Sequence, residues 1–311
     1  MYDTINFKIT QDEAGGVDFL EEIPCFLDNV GEHFYNGFPY ITGNLKGLKV
    51  TANRHQVKIK DGSLCKFALG DNYQTLGRKD TQRAIELLSD TLHLPIDRAI
   101  VTRLDIAQNF ILKHPTVIYL NHLGGLRHAK RIQEPTGLYY VLGGGRLCFY
   151  DKNKEQTSHR NPIPELYKGR NVLRYEQRYT ERLASKLGIS QLTGRVLYDE
   201  EFYISLLDQW RDSYKAINKI NDVTLNFETM TKKKDMIKAG LITLAEQMGG
   251  QLEMIAHINE AQKRGALSRK QAFDLRKTIK DAYQVKDGLI VPSDVIQELD
   301  KKVDEAVRFY R

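Results

Sequence analysis

A chain of 311 residues, 41% hydrophobic and 28% charged, has a globular composition with room for one large domain or two ordinary ones. No apolar run approaches the roughly 18 residues of a membrane span and no charged-then-apolar leader follows Met1, so we expect a cytoplasmic protein that uses no membrane. The three widely spaced cysteines argue against a disulfide or zinc framework, and the net charge of +6 favours an acidic partner.

The first 80 residues alternate between apolar and polar positions, which predicts strands. Alternation is clearest in residues 4–10, 47–52 and 56–60. Helical periodicity then runs over residues 81–94, with Asp80 as a possible cap.

Three later strands are predicted, over residues 100–110, 146–150 and 172–179. Their apolar residues share one face, and the opposite face carries the polar residues Arg103, Asp105, Asn109, Tyr150, Arg174, Glu176 and Arg178. The three glycines at 143–145 favour a hairpin turn before the second of these strands, because a phosphate-binding loop would precede a helix.

Tyr150 ends its strand with the phenol on the face opposite Leu147 and Phe149. The charged residues that follow are Lys152, Lys154 and Glu155. Neighbouring cations lower the pKa of a phenol from its usual value of about 10 and can also hold a phosphate. This is suitable chemistry for nucleophilic attack on a phosphodiester. The alternative is an ordinary edge-strand tyrosine followed by a solvated charged turn.

Positive charge is concentrated around this tyrosine. Residues 146–195 hold eleven Lys and Arg against five Asp and Glu, a balance of +6 that equals the excess of the whole chain. Such a segment favours binding to nucleic acid, although charges also cluster on loops by chance.

The rest of the chain is predicted to be helical. The four-residue spacing of Phe202, Leu206, Trp210 and Tyr214 is typical of core packing. A helical pattern runs over residues 235–258 and is broken at 249–250. A second helix is predicted after a capping box at 268–271, and a last helix from Pro292-Ser293 onward. The change in composition divides the chain into residues 1–225 and a helical domain of residues 226–311.

If the three polar strand faces are adjacent, Asp105 and Glu176 lie beside Tyr150. Carboxylate oxygens are suitable ligands for Mg²⁺ or Mn²⁺, with Glu155 as a third candidate. The cations that could pair with phosphate oxygens are Arg103, Arg174, Arg178, Lys152 and Lys154. A polar outer face is also normal for any exposed sheet. No nucleophile elbow, Walker loop, His-Glu-x-x-His or His-x-His motif is present.

Four segments in order resemble the gene II/X family of replication initiators from filamentous phages and related plasmids. More distantly, they resemble plasmid rolling-circle initiators and relaxases of the Rep-trans type. The segments are Ser63-Leu-Cys-Lys-Phe-Ala-Leu-Gly-Asp-Asn72, Val101-Thr-Arg-Leu-Asp-Ile-Ala107, Phe149-Tyr-Asp-Lys-Asn-Lys-Glu-Gln156 and Leu173-Arg-Tyr-Glu-Gln-Arg178. The resemblance implies a nucleophile at Tyr150 and DNA contacts at Lys66 and Asn72.

The resemblance also implies an α+β catalytic domain, in which a mostly antiparallel sheet carries helices on one face and the active site on the other. The expected activity is metal-dependent nicking of one origin strand, with a 5′-phosphotyrosyl link and a free 3′-OH that primes rolling-circle replication. Expected partners are origin DNA, duplex and single-stranded, and a host helicase and polymerase. A relaxase with the same chemistry and a non-catalytic DNA-binding regulator are the alternatives. The sequence leaves the origin and the oligomeric state open.

Overall fold

The computed structural model describes residues 1–220, 224–291 and 293–311, without the side chains of residues 224, 290 and 291. The strands of the main sheet are β1 (Tyr2–Thr10), β2 (Asp28–Tyr35), β3 (Phe38–Leu45), β4 (Leu48–Asn53), β5 (Gln56–Lys60), β6 (Ile100–Leu112), β7 (Lys130–Glu134), β8 (Gly137–Leu142), β9 (Gly145–Asp151) and β10 (Asn171–Tyr179). They pair antiparallel in the order β2-β3-β4-β5-β1-β6-β10-β9-β8-β7. The predicted α+β class with a mostly antiparallel sheet is confirmed.

Helices lie between the strands of this sheet and after its last strand. They are α1 (Phe19–Glu22), α2 (Leu64–Leu69), α3 (Arg78–Leu92), α4 (Thr116–His122), α5 (Lys152–Ser158), α6 (Leu183–Lys186), α7 (Glu200–Lys215), α8 (Lys233–Gln247), α9 (Gln251–Lys263), α10 (Arg269–Tyr283), α11 (Lys286–Leu289) and α12 (Asp294–Tyr310). Short 3-10 helices lie at Ile23–Phe26, Glu165–Tyr167 and Arg195–Tyr198, and β11 (Thr224–Leu225) pairs with β12 (Ile290–Val291). No helix in these ranges is long and apolar enough to cross a membrane.

One face of the sheet packs into the large hydrophobic core, as the alternation of its strands predicts. Leu104, Ile106, Leu147 and Phe149 are buried there together with residues of α3, α4, α7 and α12. The ring of Phe149 stacks on Tyr175 at a centroid distance of 4.4 Å, and Tyr175 stacks in turn on Trp210 of α7 at 4.5 Å. The apolar stripe of α7 is therefore core, as predicted. The opposite face of the sheet, called the open face below, carries the predicted site residues of β6, β9 and β10.

Two local predictions differ from the structure. Helix α3 starts three residues earlier than expected, and Asp80 lies inside its first turn, where its carboxylate accepts from the Gly77 N–H at 3.3 Å. The charged residues after Tyr150 form helix α5 instead of a solvated turn. Asp151 caps this helix by accepting from the Lys154 N–H at 3.0 Å, so the strand passes directly into a helix.

The predicted helices of the C-terminal segment are present. Helix α8 is separated from α9 by Gly249 and Gly250, with φ of +99° and +98°, a conformation that favours glycine. The capping box at Ser268 is formed with Gln271, whereas Pro292 lies outside the described residues. Helices α8 to α11 enclose small apolar clusters of their own.

The last helix, α12, belongs to the large core. Val295, Leu299, Val303 and Val307 are buried in the same cluster as the sheet and α7, and Tyr214 of α7 donates to Asp300 at 2.6 Å. The predicted division between residues 225 and 226 stays a prediction. The segment after residue 226 nevertheless packs against the core of the sheet through α12.

Candidate active site

The candidate site is built on three adjacent strands of the open face, β9, β10 and β6. Arg174 of β10 is directly opposite Tyr150 of β9 on one side and Asn109 of β6 on the other. Two residues along β10, Glu176 is opposite Cys148. Tyr150 therefore lies next to the strand that carries Glu176, and the two side chains are on the same face of the sheet. The alternation of the sequence predicts this shared face for neighbouring strands.

Arg174 is the structural centre of this face, and its side chain is fully buried. Its Nη2 lies 2.7 Å from Asp3 Oδ2, and its Nη1 donates to Asn109 Oδ1 at 3.2 Å and to the carbonyl of Asn72 at 3.1 Å. Asn109 in turn donates to the carbonyl of Tyr73 at 2.7 Å. The network fastens the Asn72–Tyr73 loop to the sheet. The predicted phosphate contact of Arg174 stays a prediction, and its burial does not favour it.

Asp3 was not identified from the sequence, yet it joins two parts of the site. Its carboxylate accepts from Ser63 Oγ at 2.6 Å, and the same Ser63 oxygen accepts from the Lys66 N–H at 3.2 Å at the start of α2. Nothing local marks Asp3, because its partners lie about 60 and 170 residues away in the chain.

Lys66 and Asn72 meet Arg103 around one surface cleft of about 580 Å³. These three residues were predicted to contact DNA, and they come from α2, the loop that follows it, and β6. Lys46 and Asp3 line the same cleft. A second cleft, of about 370 Å³, lies beyond Arg103 and is lined by Arg103, Arg146 and Arg178. The open face thus carries cationic grooves on both sides of Arg103.

Asp105 and Glu176 are both buried, and each carboxylate accepts hydrogen bonds from an arginine. Asp105 accepts from Arg103 Nε at 3.0 Å and Nη2 at 2.5 Å, and Glu176 accepts from Arg178 Nη2 at 2.7 Å. Arg178 Nε is also 3.8 Å from Asp105, so its guanidinium lies between the two carboxylates. Among the described residues, no group of three or more His, Cys, Asp or Glu side chains could hold a metal ion.

The pKa of Asp105 is raised to about 7. Burial is the main cause, opposed by the hydrogen bonds from Arg103 and reinforced by the negative charge of Glu176. Because the folded state holds this proton more tightly than an unfolded chain, whose aspartate pKa is about 3.9, stability must fall as pH rises from about 4 to about 7.

We therefore expect Asp105→Asn to stabilise the protein increasingly with pH. Its advantage over the wild type in free energy of unfolding should grow by about 3 kcal/mol between pH 5 and pH 8, measured by urea denaturation. Asp80→Asn, at an exposed carboxylate, is the control for the charge change itself. An advantage of Asp105→Asn that stays constant with pH would contradict the raised pKa.

The phenol of Tyr150 is half-buried, and its pKa is raised well above 10 by burial and then by Glu176, with Arg174 acting in the opposite direction. The expected net lowering of this pKa by neighbouring cations is therefore wrong, because burial outweighs the effect of Arg174. The two lysines expected to act on the phenol are placed otherwise: the buried ammonium of Lys152 pairs with Glu155 at 2.9 Å, and the Lys154 side chain is exposed.

Helix α5 also contributes contacts that the sequence did not reveal. Tyr73 donates its hydroxyl to Asn153 Oδ1 at 2.8 Å, and the Lys152 ammonium lies 5.7 Å from the centre of the Tyr73 ring. Asn153 donates to the carbonyls of Tyr167 and Arg170 at 2.7 and 3.0 Å. Helix α5 and the Asn72–Tyr73 loop thus meet next to Tyr150.

A family model for the N-terminal part of the replication-associated gene II protein of phages matches residues 1–213. The chain belongs to this family. The family is that of gene II-type phage initiators of rolling-circle replication, so the resemblance carried by the four sequence segments is confirmed. No curated protein matches the chain significantly.

The family match includes all ten strands of the main sheet and every predicted site residue. It ends within α7, so helices α8 to α12 lie beyond it. This gene II-type chain is thus a phage replication initiator by family, with its family-defining part built around the open face.

Proposed function

We propose that this initiator nicks one strand of origin DNA with Tyr150 as the nucleophile. The observation that carries the proposal is the placement of Tyr150 on the open face, opposite Arg174 and beside the strand of Glu176, within the part of the chain that defines the family. The phenolic oxygen forms a bond to phosphorus while the bond from phosphorus to the 3′ oxygen breaks, and the departing oxygen takes up a proton from water. The products are a 5′-phosphotyrosyl link and a free 3′-OH.

The raised pKa of Tyr150 shapes this reaction. The phenol stays protonated at neutral pH, so its proton must leave as the bond to phosphorus forms. Glu155, a carboxylate whose charge also reaches the phenol, is the proposed acceptor. Lys152 holds Glu155 in place at 2.9 Å, and the exposed Lys154 is proposed to meet the DNA backbone.

We propose Asp105 and Glu176 as ligands of a divalent cation. Both offer oxygen donors on neighbouring strands, and Mg²⁺ is commonly bound by one or two carboxylates together with substrate phosphates. When bound, Mg²⁺ or Mn²⁺ would polarise the scissile phosphodiester. Arg178 now occupies the space between the carboxylates, so we expect it to move towards phosphate when a cation binds.

The metal assignment predicts that EDTA stops nicking and that added Mg²⁺ or Mn²⁺ restores it. Glu176→Gln removes one ligand charge with little change of shape, so its activity should need a higher metal concentration for half-maximal nicking. The measurement is nicking of supercoiled origin plasmid against metal concentration, with Glu165→Gln, at an exposed carboxylate, as the control. Full activity of the wild type in EDTA would remove the metal from the proposal.

The proposed substrate is origin DNA, bound as duplex and cleaved as a single strand. The two clefts beside Arg103 would hold its backbone through Lys66, Asn72, Arg103 and Arg178. The free 3′-OH would serve as a primer for a host polymerase. A host helicase would be required to displace the nicked strand. Dependence on these host proteins would place the initiator in the cytoplasm.

The direct test is a covalent adduct. The protein is incubated with supercoiled plasmid carrying the native origin and a divalent cation, denatured, and resolved from free protein. An adduct mapping to Tyr150 supports the proposal for an initiator and equally for a relaxase. A protein that binds the origin without nicking or linking to it would instead be a DNA-binding regulator.

A further inference from the structure

The hairpin of β2 and β3 carries large aromatic side chains that are mostly exposed. Tyr35 and Phe38 flank the Asn36-Gly37 turn and are each 72% exposed, and Phe34 is 73% exposed. The turn has φ of +49° at Asn36 and +82° at Gly37, as expected for a two-residue hairpin that fixes the register. Three aromatics at such exposure are unusual for a surface that meets only water.

Strand parity separates these aromatics between the two faces of the hairpin. His33 pairs with Tyr40 and Tyr35 with Phe38, so these four share one face, whereas Phe34 pairs with Pro39 on the other. The Tyr40 ring stacks on His33 at a centroid distance of 5.1 Å. Tyr35, Phe38 and Tyr40 line a groove of about 410 Å³ together with Arg54 and Lys58. These five residues are called the hairpin platform below.

The platform lies on the open face. Lys58 pairs with Lys8 of β1, while the residues next to them, Ile59 and Phe7, point into the core. Asn6 of β1 pairs with Arg103 of β6. One continuous surface therefore runs from the hairpin platform to Arg103, which lines both clefts of the candidate site. Four inter-strand spacings of about 4.8 Å separate β3 from β6, a span of about 20 Å.

The three strands β3, β4 and β5 of this surface carry charge of one sign. Strands β3, β4 and β5 contain no Asp or Glu, and their open-face cations are Lys49, Lys58 and Lys60. None of these lysines, nor Arg54 or Lys8, forms an ion pair with a carboxylate within residues 1–220, 224–291 and 293–311. By contrast, many cations of the 146–195 segment are already paired, among them Lys152, Lys168, Arg174 and Arg178.

We propose that the hairpin platform binds single-stranded DNA next to the nick, with bases stacked on Tyr35, Phe38 and Tyr40 and phosphates held by Arg54 and Lys58. Exposed aromatics interleaved with unpaired cations are the combination that binds single strands without sequence preference, since every base has a stacking face. The inference rests on the proposed function, in which the strand is unpaired before it is nicked. The unpaired strand then requires a binding surface close to the active site.

The test is the affinity for a fluorescein-labelled single-stranded 30-mer of mixed sequence, measured by fluorescence anisotropy without metal. The double variant Tyr35→Ala/Phe38→Ala should bind about tenfold or more weakly than the wild type. Phe34→Ala is the matched control, because it removes an equally exposed ring from the same turn on the opposite face, and its affinity should stay within about twofold.

Unchanged affinity of the double variant, or an equal loss in Phe34→Ala, would overturn the platform. A loss confined to the duplex form of the same oligonucleotide would also overturn it, since the proposal commits to single strands. Arg54→Gln/Lys58→Gln should in addition flatten the dependence of log affinity on log salt by about 1.4, because two phosphate contacts are lost and each contributes about 0.7 on a single strand. The binding assay needs no cleavage, so it tests the platform separately from the proposed function. A wild-type protein that binds through the platform but never forms an adduct would contradict the proposed function and leave the platform intact.

Discussion

Replacing Tyr150 by Phe is expected to abolish nicking and the denaturation-resistant protein–DNA adduct while leaving the fold intact. The Tyr150 hydroxyl makes no hydrogen bond to any residue that the structure describes. Its loss should therefore change the free energy of unfolding by less than about 0.5 kcal/mol. Activity should fall to background, because no other group supplies the attacking oxygen.

The controls for this variant follow from the neighbouring hairpin strand. Tyr139 lies opposite Cys148 on the open face, with Arg146 5.8 Å from its ring centre. Tyr139→Phe should retain adduct formation. Tyr140→Phe should retain it too, but it removes a buried hydrogen bond to the Gly124 carbonyl at 2.6 Å and should lose about 1 kcal/mol of stability. Tyr139 is therefore the cleaner control.

Nicking assays, peptide mapping of the adduct and urea denaturation together decide the outcome. A Tyr150→Phe protein that still nicks, with its adduct on another tyrosine, would show that the active site is misplaced. A Tyr150→Phe protein that fails to nick because it has unfolded would show that the phenol is structural.

Replacing Arg174 by Met is expected to destabilise the protein by about 3–5 kcal/mol at pH 7. The Arg174 guanidinium has no exposed surface and lies 2.7 Å from Asp3. Without it, a buried carboxylate loses its partner, and the Asn72 carbonyl and Asn109 Oδ1 lose their donor. The pKa of Asp3 is held low by Arg174 and Ser63 against the effect of burial, so it should rise in the variant.

Two comparisons isolate this effect. Asp3→Asn/Arg174→Met should recover part of the lost stability, because the uncompensated charge is gone. Arg103 is partly exposed, and its partner Asp105 also lies 3.8 Å from Arg178. Arg103→Met should therefore lower the free energy of unfolding less than Arg174→Met does. Urea denaturation at pH 7 measures all three. An Arg174→Met protein within about 1 kcal/mol of the wild type would contradict the structural role of the buried pair.

Local pattern was sufficient for much of the sheet and its helices. Leu147 and Phe149 alternate with Tyr150, and this period of two fixes which side chains share a face wherever the strand pairs. The capping box at Ser268 and the break at Gly249 are also decided within a few residues. For the same reason, the placement of Asp105, Tyr150 and Glu176 on one face could be predicted from the chain alone.

Packing decided what these residues can do. Asp3 meets Arg174 from 171 positions away, and Arg178 lies between Asp105 and Glu176 only because β6 and β10 are neighbours in this register. The pKa of Tyr150 is set by burial and by which charges surround it, neither of which follows from the order of its neighbours.

The sequence by itself determined the family, the polar face of each strand and the candidate nucleophile, since these depend on segments a few residues long. Only the tertiary structure decided that Lys152 is buried in a helix, that α12 completes the large core, and that the unpaired cations lie on β4 and β5 beside exposed aromatics. The physical reason is that burial, ion pairing and strand order are long-range properties, fixed by contacts between segments that the chain brings together only on folding.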